Sequence, residues 1–299
     1  MCAASADAGF KTVKTDTEVR AGLSHPVEIE GEVHGIEPEL WSVRDRAMRK
    51  QIKRALDGAA LAPVFETVVR RTTRRLRVDE NGEVELALDE GVVRSPAGSS
   101  DIREAELELK SGTVGSLLTV AEALFADEPI RLAEKSKAER GYELALGRPA
   151  ESPKPLLATQ PNLEKTQSCA DALGAILSTV ADQVLHNWQV VAETDDPEGA
   201  HQLRIGLRRL RSALRVFRSV ADGPRLRELN AKAGEVAGVV GDLRDADVLI
   251  DEVVAALMVS NCRDLDFSRL SEVLASERNT KRAQVKAALR SSRWSCFQP

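Results

Sequence analysis

His201-Gln202-Leu203-Arg204-Ile205-Gly206-Leu207-Arg208-Arg209-Leu210-Arg211-Ser212-Ala213-Leu214-Arg215-Val216-Phe217-Arg218 separates into two stripes when read at helical spacing. His201, Arg204, Arg208, Arg211, Arg215 and Arg218 step by three and four, which stacks them on one face. Leu203, Leu207, Leu210, Leu214 and Phe217 form a neighbouring apolar stripe suited to a core. The spacing predicts a helix that buries one side and carries a row of cations beside it. Like charges at i,i+4 destabilise a helix by about 0.2–0.5 kcal/mol per pair, so the row gains from an anion lying along it. Solvated faces usually mix Lys with Glu, whereas this one uses Arg, whose planar fork suits bidentate phosphate contacts. A plain solvated basic face is the alternative reading.

The surrounding chain sharpens that choice. Its 299 residues suffice for two domain-sized cores. A net charge of −5 and a pI near 5.6 argue against a general nucleic-acid coat. The average hides an asymmetry: residues 201–227 hold eight arginines against Asp222, and residues 235–252 hold six acids against Arg244. A local cationic strip in an acidic protein favours a specific anion. Aromatic residues make up 3%, too few for the stacking platforms of single-strand binders. Cys2, Cys169, Cys262 and Cys296 show no metal-ligand spacing and read as reduced thiols of a cytoplasmic protein. No window approaches about 18 consecutive apolar residues, so no membrane span is expected.

Residues 1–146 read as short alternating strands with helices between them. Phe10–Thr15 and Val27–Glu32 alternate, and residues 39–56 read as a helix with Pro38 at its entry. Residues 65–77 are β-like, with Thr67, Arg71 and Arg75 on one face. Residues 83–89 alternate acids with aliphatics after Asn81-Gly82, a strong hairpin signal. A polar loop with Gly91, Pro96 and Gly98 is expected next. Residues 104–110 then place Glu104, Glu106, Glu108 and Lys110 together. A sheet with one wet face explains most such strands. Neighbouring strands of opposite charge would equally line a lumen holding carboxylates for a hard cation and basic groups for phosphate.

The stretch from about Lys11 to Leu146 resembles the CYTH domain of the triphosphate tunnel metalloenzymes. The resemblance rests on Thr12-Val13-Lys14, Glu28-x-Glu30, Pro63-x-Phe65-x-Thr67 with Arg71, Glu85 to Asp89, residues 104–110, and Ser136-Lys137-Ala138-Glu139-Arg140-Gly141-Tyr142. It implies an antiparallel β-tunnel whose carboxylates hold divalent metal, Mg or Mn, and whose basic residues grip triphosphate for hydrolysis. Metal-side candidates are Glu28, Glu30, Glu85, Asp89, Glu106 and Glu108. Phosphate-side candidates are Lys14, Arg71, Lys110 and Lys137, with Glu106, Glu108 and Lys110 taken as the catalytic set. The family's ExExK strand and the Arg-x-Arg strand after it are missing, so the expectation is a partial tunnel.

Residues 147–163, with four prolines, read as a linker, and 164–299 as helical. Helices are expected over about 164–193, from Asp196-Pro197 through Arg218, over 225–257 and over 266–290. This region resembles the first half of a CHAD domain through His201-Gln202-x-Arg204, Arg208-Arg209-Leu210-Arg211, Phe217 and Leu243-Arg244-Asp245-x-Asp247. The resemblance implies a helical bundle that binds inorganic polyphosphate, with His201, Arg204, Arg208, Arg211 and Arg215 as contacts. Arg244, Asp245 and Asp247 are expected to face the basic helix. The ending without a cap or charged tail reads as a C-terminal truncation, with homodimerisation or aggregation through uncovered faces as its consequence.

The fold class is therefore α+β, a partial antiparallel β-tunnel followed by an all-α bundle. Three functions compete. The first is a polyphosphate-associated triphosphatase, cytoplasmic and possible at polyphosphate granules. The second is a non-catalytic polyphosphate-binding module. The third, weakest on charge and aromatic content, is a nucleic-acid binder.

Overall fold

The computed structural model describes residues 2–4, 8–15, 19–20, 23–24, 27–33, 45–125, 133, 135–148, 152–254 and 267–289. The chain is α+β and divides into two compact units, Met1–Val120 with Ala133–Glu151 and Ala121–Leu132 with Ser152–Pro299.

The first unit contains β1 (Cys2–Ala4), β2 (Ala8–Thr15), β3 (Val19–Arg20), β4 (Leu23–Ser24) and β5 (Val27–Val33). These form an antiparallel sheet in the order β1-β2-β5 and a separate β3-β4 pair. The helix expected from residue 39 is described from Arg46 to Leu56 (α1), where the Asp45 carboxylate accepts from the Met48 amide. Pro38 and residues 39–44 lie outside the described residues.

A second antiparallel sheet positions the site: β6 (Glu66–Arg77), β7 (Glu83–Ser95) and β8 (Gly98–Ser111), in that order. The Asp79 carboxylate shapes the β6–β7 turn by accepting from the amides of Asn81 and Gly82. The strands run on through the segment expected to be a polar loop. Gly91 lies inside β7, opposite Val69 and Ile102. A Cβ at Gly91 would stand 2.0 Å from the Val68 carbonyl oxygen, so glycine here lets strands meet closely rather than turning the chain. Helix α2 (Val114–Phe125) follows, then α3 (Lys137–Ala145). Ser136 and Glu139 form a reciprocal capping box at the start of α3. A Cβ on Gly141 would meet the Phe65 ring at 2.4 Å, so α3 packs its backbone on that ring while Tyr142 meets it edge-on at 5.1 Å.

The second unit consists of α4 (Cys169–Glu193), α5 (Pro197–Val216), α6 (Pro224–Val248), a π-helical turn at Leu249–Val254, and α7 (Phe267–Leu289). Each start obeys local chemistry: Ser168 caps α4, Asp196 caps α5 with Pro197 behind it, and Pro224 opens α6. Val180, Val184 and Trp188 of α4 pack with Leu203, Leu207 and Leu210 of α5, Val236, Val240 and Leu243 of α6, and Val285 and Leu289 of α7. Gly199 and Gly206 let α5 approach α4, since a Cβ on either would stand 2.6 or 2.9 Å from a valine methyl. The arginine helix ends two residues before Arg218, at Val216, with Phe217 as its C-cap.

Residues 152–160 lie along this bundle. The buried Asn187 amide accepts from the Leu156 backbone and donates to the Leu156 carbonyl, at 3.1 and 2.9 Å. His186 meets the Lys154 carbonyl at 2.7 Å, and Arg209 donates to the Thr159 carbonyl at 2.6 Å.

Asp247 corrects one expectation. It does not orient the α5 arginines; it is fully buried and accepts from Arg282 of α7 at 3.0 Å. Burial pushes its carboxyl above the usual range, against the pull of Arg282 and Arg278. A raised folded value means that its contribution is fully present below the unfolded value of about 3.9 and is lost as pH rises through the folded one. Melting temperatures of the wild type and Asp247→Asn, followed by helical circular dichroism, should therefore shift in the variant's favour as pH rises from about 4 to about 7. A constant difference would refute this.

Candidate functional site

Strand register assembles the site on one face of the β6-β7-β8 sheet. Arg71, Asp89 and Glu104 stand opposite one another across the three strands. The next rows along the same face are Thr73, Ala87 and Glu106, then Arg75, Glu85 and Glu108. α3 adds Lys137 and Arg140, one helical turn apart, above the first two rows.

These side chains form one ion-pair network. Arg71 grips Asp89 bidentately, Nε to Oδ1 at 2.7 Å and Nη2 to Oδ2 at 2.6 Å, and Nη2 also reaches Glu106 Oε2 at 2.6 Å. Lys137 Nζ meets Asp89 Oδ2 at 2.8 Å and Glu106 Oε1 at 2.5 Å, and it pairs with Glu104 Oε1. Arg140 Nη2 holds the other Glu104 oxygen. The Asp89 side chain has 0% of its surface exposed. The Arg71 hydrogen bond, with help from Lys137, holds its carboxyl below the usual range despite burial. Burial would lower the Lys137 ammonium, but its bonds to Asp89, Glu104 and Glu106 outweigh that and leave it raised.

Asp89, Glu104 and Glu106 each offer an oxygen within 4.8 Å of the others. All-oxygen, carboxylate-rich donors suit a hard divalent cation such as Mg²⁺ or Mn²⁺. The donor set therefore fits the metal that the sequence led us to expect. Two of the three were among the candidates; Glu104 was not, although it shares their face. Its alternation matches that of Glu106, and only the register opposite Asp89 distinguishes it. Arg140 was missed likewise, and its spacing of three from Lys137 was the available signal.

Glu85 and Glu108 face each other one row further on, tied to Lys110 at 3.4 and 2.7 Å. The hydrogen bond to Glu108 keeps the Lys110 ammonium raised. These residues thus sit beside the Asp89 cluster rather than in it. β2 and β5 pair antiparallel, with Lys14 opposite Glu28 and Thr12 opposite Glu30. The side chains of Lys14, Glu28 and Glu30 are outside the described residues.

On the helical unit, α5 presents Arg204, Arg208 and Arg215 exposed, with His201 and Arg211 half-buried. Arg204 pairs with Asp245 of α6 at 3.1 Å. α6 meets this row with Gly234 and Gly241. A Cβ on Gly234 would stand 3.2 Å from the Arg211 guanidinium carbon, and one on Gly241 3.4 Å from Arg204 Nη1. Arg211 and Arg204 therefore lie close over bare backbone, a feature that the sequence signalled only as two glycines seven residues apart. Arg209 faces away, donating to Gln183 at 2.5 Å as well as to Thr159. Arg218 lies past the helix end, 3.8 Å from Asp222.

The family model of the CYTH domain matches residues 6–142, and that of the CHAD domain matches residues 175–298. The chain carries a CYTH domain followed by a CHAD domain. The inorganic triphosphatase of Haemophilus influenzae is 35% identical over 89 residues, which is 30% of this chain and 25% of that protein. The chain thus matches about a quarter of the length of that relative. The crystal structure of the CHAD domain from the plant Ricinus communis is similar at a TM-score of 0.41 and 29% identity, covering 48% of this chain and 47% of that one. Within the described residues, no helix of either domain is long and apolar enough to cross a membrane.

Proposed function

We propose that the CYTH domain hydrolyses inorganic triphosphate with a divalent metal and that the CHAD domain binds inorganic polyphosphate along α5. The observation that carries the first half is the carboxylate triad Asp89, Glu104 and Glu106 with Arg71, Lys137 and Arg140 around it on one sheet face. The triad would hold the metal, which when bound supplies Lewis-acid polarisation of a phosphoryl oxygen. Arg71 and Lys137 bind and orient the phosphate oxygens, Arg71 through its planar fork and Lys137 as a point charge. Arg140 holds Glu104 in place. Glu85, Glu108 and Lys110 extend the charged face along the strands. The name of the Haemophilus relative and the CYTH match support this reading.

The polyphosphate half is supported by the exposed arginines of α5. A helix rises about 1.5 Å per residue, so Arg204 to Arg215 offers roughly 16 Å of cationic edge, a length suited to an extended anion. The setting is cytoplasmic, beside polyphosphate.

The test is phosphate release from tripolyphosphate by the purified chain with Mg²⁺ or Mn²⁺, with Glu106→Gln in parallel. Release that disappears in Glu106→Gln supports hydrolysis at this site. Absence of release, together with polyphosphate binding, would leave a binding module with no catalytic role. For the CHAD half, Arg208→Ala should weaken polyphosphate binding about three- to tenfold at one fixed salt concentration, as measured by fluorescence anisotropy. Unchanged affinity would remove α5 from the binding surface.

A further inference from the structure

Every oxygen of the carboxylate triad is already engaged. Arg71 holds Asp89 Oδ1 and Glu106 Oε2, and shares Asp89 Oδ2 with Lys137. Lys137 holds Glu106 Oε1 and Glu104 Oε1, and Arg140 holds Glu104 Oε2. Three carboxylates meet three cations, so this part of the face is electrically neutral. The next row adds no surplus, because Arg75 and Lys110 are spent on Glu83, Glu85 and Glu108. A bare oligophosphate finds no net positive charge here, and a divalent cation finds no free ligand oxygen.

We infer that Arg71 and Lys137 are built-in competitors of the divalent cation, so that cation entry releases them and the released pair then grips the phosphate chain. The inference rests on the triphosphate reading of this face and specifies its order: cation and anion bind as a coupled pair, each poorly alone. Coupling of this kind commonly reaches about 5- to 150-fold. It also has an unusual sign. Removing a phosphate-gripping cation should tighten metal binding, because it frees carboxylate oxygens that the ion must otherwise win.

The decisive measurement is Mn²⁺ binding to the full chain without any phosphate, read from the electron paramagnetic resonance signal of free Mn²⁺ at fixed ionic strength. Arg71→Gln and Lys137→Gln should each bind Mn²⁺ about tenfold more tightly than the wild type and bind methylene-bridged triphosphate more weakly. Arg74→Gln serves as control, because Arg74 is exposed, alternates to the opposite face and, among the described residues, donates only to the Thr73 carbonyl. Circular dichroism establishes that each variant is folded, and Lys137→Gln carries the test if Arg71→Gln is not. In the wild type, binding of methylene-bridged triphosphate should fall about tenfold when divalent ions are chelated.

Equal or weaker Mn²⁺ binding in the variants, no Mn²⁺ uptake by any chain, or chelation without effect would each overturn the inference. Tripolyphosphate hydrolysis is followed in the same preparations. Hydrolysis with unaltered Mn²⁺ affinity sinks the inference and leaves the triphosphatase reading standing. Tightened Mn²⁺ binding without hydrolysis in the wild type does the reverse.

Discussion

Asp89→Asn should lower Mg²⁺-dependent tripolyphosphate turnover by about 100-fold or more. The side chain is fully enclosed, and both of its oxygens receive charge from Arg71. An amide of the same shape removes one negative charge from the triad and turns a donor toward two cations. On the proposed function the metal would lose its most buried ligand, and Arg71 loses the partner that fixes its fork. Turnover within about threefold of the wild type, in a chain with an unchanged circular dichroism spectrum, would exclude Asp89 from the chemistry. The same substitution has a signature in stability. The depressed carboxyl of Asp89 contributes stability that is present above the unfolded value of about 3.9 and is lost as pH falls through the lower folded value. The wild type's advantage in melting temperature should therefore shrink below about pH 4.

The second large effect concerns the scaffold of the arginine row. Leu207→Ala should destabilise the helical unit by about 2–5 kcal/mol, the usual cost of a cavity at a fully buried leucine. Leu207 has 0% exposure and packs within the core shared by α4, α5 and α6. Two units need not unfold together, so the urea transition to follow is the one reported by helical circular dichroism. At low urea, where the variant remains folded, polyphosphate affinity should stay within about twofold of the wild type. A shift below about 1 kcal/mol would mean that α5 is not anchored through this residue.

Much of this architecture was legible in the chain, for reasons visible at particular residues. The alternation at 83–89 and 104–110 places acids on one strand face, and that face is the one α3 meets through Lys137 and Arg140. Asp196-Pro197 fixes the start of α5 because capping is local. What sequence spacing could not supply was register. Glu104 and Glu106 are equivalent by alternation, and only pairing with β7 puts Glu104 opposite Asp89 and Glu106 opposite Ala87. Gly91 suggested a turn by composition, yet interstrand crowding keeps it within β7. Among the arginines, adjacency in sequence concealed a division of labour: Arg208 faces outward while Arg209 ties Gln183 and Thr159 together. Asp245 and Asp247 differ similarly, one paired with α5 and the other with α7.

The hydrogen bonds along residues 152–160 bear on how the CHAD domain can be cut out and studied alone. A fragment beginning at Ser168 keeps α4, α5, α6 and α7 but discards the carbonyls of Lys154, Leu156 and Thr159. Asn187, buried in α4, would keep its bond to the Gln183 carbonyl and lose both of its backbone partners at Leu156. Among the described residues, Arg209 would retain Gln183 alone. The proline-bearing stretch is thus the outer wrapping of the bundle, and the natural point of scission lies before Ser152.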